Sequence, residues 1–243
     1  MGGGGFSMEP DTPLLDDFVL SLARRPAPRV CFVATAGGDS PQYVRDFYRA
    51  FAPRDCRPSD LALFERRVSD LRAFVLDQDV IYVGGGSTAN LMAVWRTHGL
   101  DRILAEAWHA GIVLCGISAG MNCWFRESVT DSFDLGRLAP LKDGMRLIDA
   151  SACPHYDGEP LRRPTYQRLV REGLPAGYAA DDGAALHFAG EVLKEVVSSR
   201  PNAAAYRVER RGDEVVEERL TTRYLGQAYC EPSATSPPAQ PLK

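Results

Sequence analysis

Residues 116–120 read Gly-Ile-Ser-Ala-Gly, at the end of an apolar run that begins at Ile112 and just ahead of the helix-prone stretch Met121–Phe125. A strand that enters a sharp turn with serine at its tip, then a helix, is an arrangement that presents a nucleophile. The turn thrusts Oγ outward, and flanking glycines let strand and helix approach closely. The N–H of the next residue, Ala119, is left at a helix start where it can hold an oxyanion. A serine hydroxyl is inert at neutral pH and needs a base, usually histidine, oriented by a carboxylate. Of the four histidines, His98 and His109 close helical stretches, where an imidazole meets exposed carbonyls, and His187 sits inside the strand-like AALHFAG. His155 differs. The segment Leu147–Tyr156 reads as a strand that stops at Cys153-Pro154, placing the imidazole at a strand's carboxyl end, where open α/β sheets collect catalytic groups.

The carboxylate is expected on another strand end, in residues 177–186, GYAADDGAAL. Neighbouring side chains of extended backbone point to opposite sides, so only one of Asp181 and Asp182 can face the imidazole; a plain Asp-Asp-Gly hairpin is the bland alternative. Gly84-Gly85-Gly86 follows the apolar DVIYV and offers amides without a Cβ for the other half of an oxyanion hole. A phosphate cradle is the competing reading, but the string lacks both the lysine of a P-loop and the G-x-G-x-x-G spacing. No cluster of His, Cys and Asp has metal-ligand spacing, so neither a metal nor another cofactor is expected.

These residues need elements to position them. Arg29–Ala34, Asp79–Val83 and the run before Gly116 predict doubly buried strands, and Leu61–Phe64 predicts a short one. Between them, Ser40–Phe51, Ser69–Leu76, Ser87–Arg96 and Asp101–Ala110 predict helices. Apolar strands alternating with helices imply a mostly parallel sheet covered on both faces. From Glu191 onward the pattern becomes alternating, with Arg211-Gly212-Asp213 as a hairpin turn, so antiparallel strands are expected at the C-terminal edge. A single α/β domain is expected over residues 1–226, and the Pro-rich 227–243 reads as a disordered tail. The start is odd. Gly2–Gly5 follow Met1 directly, whereas a Gly-rich turn in this architecture normally follows a strand; that first strand is either missing or was never there.

Three separated motifs in one order, residues 82–91 (YVGGGSTANL), 116–120 (GISAG) and 154–156 (PHY), resemble peptidase family S51, which includes the peptidase E and cyanophycinase groups. The resemblance spans about Arg29–Phe188. It implies a fold similar to the class I glutamine amidotransferases and a triad of Ser118, His155 and Asp182, with Asp182 where the family commonly has glutamate and Asp181 as second choice. It implies an oxyanion hole from Gly85, Gly86 and Ala119. The family's GGNT is Gly85-Gly86-Ser87-Thr88 here, so Ser87 replaces an asparagine that could contact substrate. The arginine that family members carry after the histidine falls at Arg162 or Arg163, whose planar fork suits the carboxylate of an N-terminal aspartate; Glu159 is placed to take the peptide's α-amino group. Two solvated arginines are the bland alternative. A compact chain fits a dipeptidase of the peptidase E kind better than the longer cyanophycinases. An α/β-hydrolase-type esterase would need its histidine after the acid, and a non-catalytic ligand-binding relative is the third reading.

Composition fits a cytosolic enzyme of ordinary build. A net charge of −4 gives no basic footprint for nucleic acid, and no run of 18 apolar residues offers a membrane span. The six cysteines have no C-x-x-C spacing, which favours a reducing, cytoplasmic setting. A monomer or homodimer is expected.

Overall fold

The computed structural model describes residues 1–134 and 136–226; the expected tail at 227–243 lies outside the described residues. Thirteen strands are described: β1 (Arg29–Val33), β2 (Arg57–Asp60), β3 (Val80–Val83), β4 (Val113–Gly116), β5 (Phe125–Thr130), β6 (Ala139–Leu141), β7 (Ile148–Cys153), β8 (Gly177–Ala180), β9 (Ala184–Ala189), β10 (Val192–Ser198), β11 (Ala205–Arg211), β12 (Glu214–Arg219) and β13 (Thr222–Tyr224). The helices are α1 (Gly5–Met8), α2 (Leu14–Ser21), α3 (Pro41–Phe51), α4 (Leu71–Leu76), α5 (Thr88–His98), α6 (Leu100–His109), α7 (Ala119–Asn122) and α8 (Arg162–Arg171). None of them is long and apolar enough to cross a membrane.

The strands form three sheets. A parallel sheet runs β2-β1-β3-β4, with Val30 opposite Val80 and Val80 opposite Val113. A six-stranded sheet runs β12-β11-β8-β7-β5-β6, parallel across β5, β7 and β8 and antiparallel at both margins. The third runs β13-β10-β9. The mostly parallel architecture with antiparallel strands toward the C-terminus is the one the hydrophobic pattern implies. β1 and β3 are apolar along their length because both faces are covered. One face holds Phe6, Phe32, Phe47, Phe51 and Tyr82, all buried, with Phe32 stacked on Phe47 at 4.8 Å between ring centroids. Burial of each such ring contributes about 1.5–3 kcal/mol. The other face packs α5 and α6 through Leu91, Trp95 and Leu104.

Two expectations are corrected. The short strand lies at Arg57–Asp60, not Leu61–Phe64. It is an edge strand set by backbone pairing to β1, which tolerates Pro58 and polar neighbours. Beyond Leu61 the amides of Leu63 and Phe64 turn to Asp39 Oδ2, at 2.6 and 2.9 Å, so the ladder ends while both leucines still pack inward. The helix after Ser118 spans only Ala119–Asn122, because Phe125 already belongs to β5.

Candidate active site

The residues singled out by type converge at strand carboxyl ends. Gly84–Gly86 follow β3 and Ser118 follows β4, with the Ile117 N–H donating to Val83 O at 3.0 Å. His155 follows β7 and Asp182 follows β8, with the Tyr156 N–H donating to Ala180 O at 3.1 Å. Residues Met1–Gly3 stretch between these two pairs. The Ser118 N–H donates to Met1 O at 3.1 Å, the Gly183 N–H donates to Gly3 O at 3.0 Å, and Gly3 bridges Asp182. One short extended segment therefore links the turn that carries the serine to the turn that carries the carboxylates.

Ser118 has φ 57° and ψ −108°, a backbone conformation that L residues rarely adopt and that persists only where the surroundings over-determine it. The surroundings here are close. A Cβ on Gly116 would lie 2.7 Å from Gly120 Cα, and one on Gly120 would lie 2.9 Å from Val83 Cβ. Glycine at both positions is thus a packing requirement of the turn. The Ala119 N–H has no acceptor among the described residues, and neither has that of the exposed Gly86. Gly85 is different, since its N–H donates to the Tyr43 hydroxyl at 3.0 Å. The three amides that sequence grouped as one oxyanion hole therefore divide into two unpaired donors and one held by the phenol. Ser87 is the N-cap of α5, its Oγ accepting from the Asn90 N–H at 3.2 Å.

The His155 ring meets Asp182, with Nδ1 and Oδ1 2.6 Å apart and both side chains mostly buried. His155 itself has φ 53°. The contact with His155 holds the Asp182 carboxyl below the usual carboxylate range, against the opposing effect of burial. The Asp182 N–H donates to Asp157 Oδ1 at 2.8 Å. Asp181 faces the other way, accepting from the Ala204 N–H at 3.0 Å and the Tyr206 hydroxyl at 3.4 Å. Burial pushes its carboxyl up to about 6. The alternation of extended backbone thus separates the two aspartates.

The basic segment after His155 is arranged differently from the expectation. Arg162 is buried and forks onto Glu159, Nε to Oε2 at 2.6 Å and Nη2 to Oε1 at 3.3 Å, while Nη1 donates to Val129 O at 3.0 Å. Arg163 pairs with Glu217 and lies over the Tyr156 and Tyr206 rings at 5.1 and 4.9 Å. Both arginines stand at the start of α8, Arg162 buried and Arg163 exposed but ion-paired. Arg200, on the turn after β10, binds Glu9 at 2.5 Å; it and Arg162 both add to the lowering at Asp182. His187 lies on β9 against Glu195 at 3.3 Å. Tyr43, Asp157 and Arg200 carried no motif. Only Asp157, in a His-Tyr-Asp-Gly turn, left a signal that could have been read. Among the described residues no group of three or more His, Cys, Asp or Glu side chains could hold a metal.

Comparisons with known proteins give the family and the fold. The model of peptidase family S51 matches residues 1–196. The chain is 54% identical over 227 residues to the uncharacterized peptidase YgaJ of Bacillus subtilis (strain 168), covering 93% of this chain and 97% of that protein. It is 26% identical over 188 residues to peptidase E of Pasteurella multocida (strain Pm70), covering 74% and 78%. Among solved structures, a peptidase from an acI-B1 Actinobacterium matches with TM-score 0.64 at 20% identity, covering 91% of this chain and 92% of that one. A putative peptidase E protein from Listeria monocytogenes EGD-e matches with TM-score 0.52 at 21% identity, covering 84% and 93%. These two likenesses speak to the fold, the first two findings to descent: the chain belongs to peptidase family S51.

Proposed function

We propose that this peptidase is a serine-type exopeptidase of the peptidase E kind that releases N-terminal aspartate from dipeptides and short peptides. The observation that carries the reading is the strained Ser118 turn with unpaired Gly86 and Ala119 amides, one short segment away from a His155–Asp182 pair. With Nδ1 of His155 on Asp182, Nε2 is the nitrogen left to accept the Ser118 proton as Oγ attacks the scissile carbonyl carbon. The oxyanion of the tetrahedral intermediate is held by the Gly86 and Ala119 N–H groups. Collapse returns the proton from Nε2 to the leaving amine and leaves an ester on Ser118. Water, deprotonated by the same nitrogen, then hydrolyses that ester and restores the hydroxyl.

Substrate selection is assigned to Arg162 in preference to Arg163, whose fork is drawn off by Glu217. Arg162 is buried, and its partner Glu159 is half-exposed and able to turn. An incoming aspartyl carboxylate competes with Glu159 for the planar fork, and the displaced Glu159 is then placed to accept the substrate's α-ammonium. The esterase order of triad residues has no support here, since the histidine after the acid, His187, sits with Glu195. The test is kcat/KM for Asp-Xaa and Asn-Xaa dipeptides measured side by side. Loss of a buried charge partner typically costs ~3–5 kcal/mol, so Arg162→Ala is expected to lower Asp-Xaa turnover at least about 100-fold, with Asn-Xaa much less affected. Arg163→Ala should leave the ratio unchanged. A parallel drop on both substrates would make Arg162 a support of the His155 loop and not a reader of aspartate.

A further inference from the structure

Four successive amides follow β3, and three of them are tied down. The Gly84 N–H donates to Val33 O at 3.0 Å and the Ser87 N–H donates to Ala36 O at 2.9 Å, both backbone acceptors at or just past the end of β1. The Gly85 N–H donates to the Tyr43 hydroxyl at 3.0 Å, the one side-chain acceptor among the three. Only the Gly86 N–H has no acceptor among the described residues. Three glycines in a row carry wide freedom in φ and ψ, so such a turn takes its shape from whatever holds it.

Tyr43, on α3, is itself held. Its ring meets Phe32 edge-on at 4.9 Å between centroids and lies beside Phe6 at 5.6 Å. A Cβ on Gly84 would stand 2.8 Å from Tyr43 Cε1 and 3.1 Å from Phe32 Cζ. Gly84 has no positive φ, so glycine there is demanded by these two rings and not by the backbone. Gly85 lies against the serine: a Cβ on it would be 3.5 Å from Ser118 Cβ and 3.9 Å from the Tyr43 hydroxyl. Burial pushes the phenol above its usual range, so a neutral oxygen takes the Gly85 N–H. We propose that Tyr43 is a positioning residue of the oxyanion hole: by holding the Gly85 amide it fixes the Gly84–Gly86 turn in the setting that leaves the Gly86 N–H free for the oxyanion.

The inference rests on the serine-type reading above, in which the Gly86 and Ala119 amides stabilise the tetrahedral intermediate. Such donors are effective because they stand in place before charge develops. Without the hydroxyl the Gly85 N–H loses its acceptor, and the Gly85–Gly86 peptide can rotate with no Cβ on either side to resist it. The Gly86 donor is then in place for only part of the time. A hydrogen bond of ordinary net strength shifts such an equilibrium by up to about 10-fold. Because the oxyanion forms in the transition state and not in the bound substrate, the loss falls on kcat and spares KM.

The experiment compares the whole parent chain with Tyr43→Phe, Tyr48→Phe and Ser118→Ala. Tyr43→Phe removes the hydroxyl and keeps the ring against Gly84 and Phe32. Tyr48→Phe is the control, since that hydroxyl lies on the same helix but donates to Asp60 Oδ1 at 2.8 Å. Two readouts are taken: kcat and KM for Asp-p-nitroanilide, and hydrogen exchange at the Gly85 and Gly86 amides. Tyr43→Phe is expected to lower kcat about 10-fold with KM within twofold and Tm within about 4 °C of the parent, and to speed Gly85 exchange at least about 10-fold. Tyr48→Phe should leave kcat within twofold and Gly85 exchange unchanged. A kcat for Tyr43→Phe within threefold of the parent would overturn the proposal, as would an equal rise in KM or an unchanged Gly85 exchange rate. Failure of the underlying reading shows separately, as full activity in Ser118→Ala; the exchange of Gly85 then still decides whether the phenol holds the turn.

Discussion

A single methyl group at Gly158, outside the proposed triad, should disable the enzyme by moving one carboxylate. Gly158 is exposed and its φ is one that any residue adopts, so alanine there carries no backbone penalty. The added Cβ would nevertheless fall inside contact distance of Asp182 Oδ2, 3.0 Å from Asp182 Cγ and 3.6 Å from Oδ1. Carbon atoms rest at about 3.5–4.0 Å, so the carboxylate must yield by roughly 0.5–1 Å. The 2.6 Å contact from Oδ1 to His155 Nδ1 would then stretch or tilt past useful hydrogen-bond geometry. A misplacement of that size costs about 100-fold in rate when it falls on a catalytic group. The assay is steady-state hydrolysis of Asp-p-nitroanilide by Gly158→Ala. A fall of about 100-fold in kcat is expected, with KM within about threefold and Tm within about 3 °C of the parent. A kcat within threefold of the parent, in a protein whose structure confirms the displaced carboxylate, would refute the idea that Asp182 orients His155.

The two aspartates should separate sharply: Asp182→Asn is expected to lower kcat by about 10³–10⁴-fold, and Asp181→Asn far less, in the same assay. The reverse ranking would place the acid on the other side of the strand. Because Asp182 titrates below the usual carboxylate range, the stability its His155 contact supplies should persist down to about pH 4 and fade only below it. Asp16 carries the opposite sign. It is 1% exposed, its Oδ2 has no hydrogen-bond partner among the described residues and only Arg54 at 3.9 Å, and burial raises its carboxyl to about 6. The folded chain therefore binds a proton between about pH 4 and 6 that the unfolded chain does not, and stability falls as pH rises through that window, by up to about 3 kcal/mol from this group. Asp16→Asn should flatten that slope in urea unfolding at pH 4.5 and 7.5, by about half, since Asp181 contributes in the same sense. An unchanged slope would mean that Asp16 is ionised in the fold.

What the sequence disclosed follows from where each residue's partners lie. β1 and β3 were legible because strands covered on both faces must be apolar, and the Ser118 turn because its glycines are demanded by backbone packing. The opposed facing of Asp181 and Asp182 followed from strand geometry alone. β2 was misplaced because an edge strand is chosen by pairing and not by apolarity. The arginines show the same limit from another direction: Arg163 finds Glu217 across 54 positions, a partner that no local spacing announces. Tyr43 is hidden for the same reason, as a helix residue whose hydroxyl reaches the Gly85 amide only once α3 packs beside β3.

The proposed chemistry rests on Ser118 as a nucleophile activated by His155. Its most direct test is the mass of the peptide carrying Ser118 after treatment with a fluorophosphonate, in the parent chain and in Ser118→Ala and His155→Ala. A stoichiometric phosphonyl adduct is expected on Ser118 in the parent, none in Ser118→Ala, and labelling slowed by about 10³-fold or more in His155→Ala, matched by the loss of peptide hydrolysis. Full hydrolysis of Asp-Xaa by Ser118→Ala, or a parent enzyme that turns over peptides while its Ser118 stays unlabelled, would contradict it.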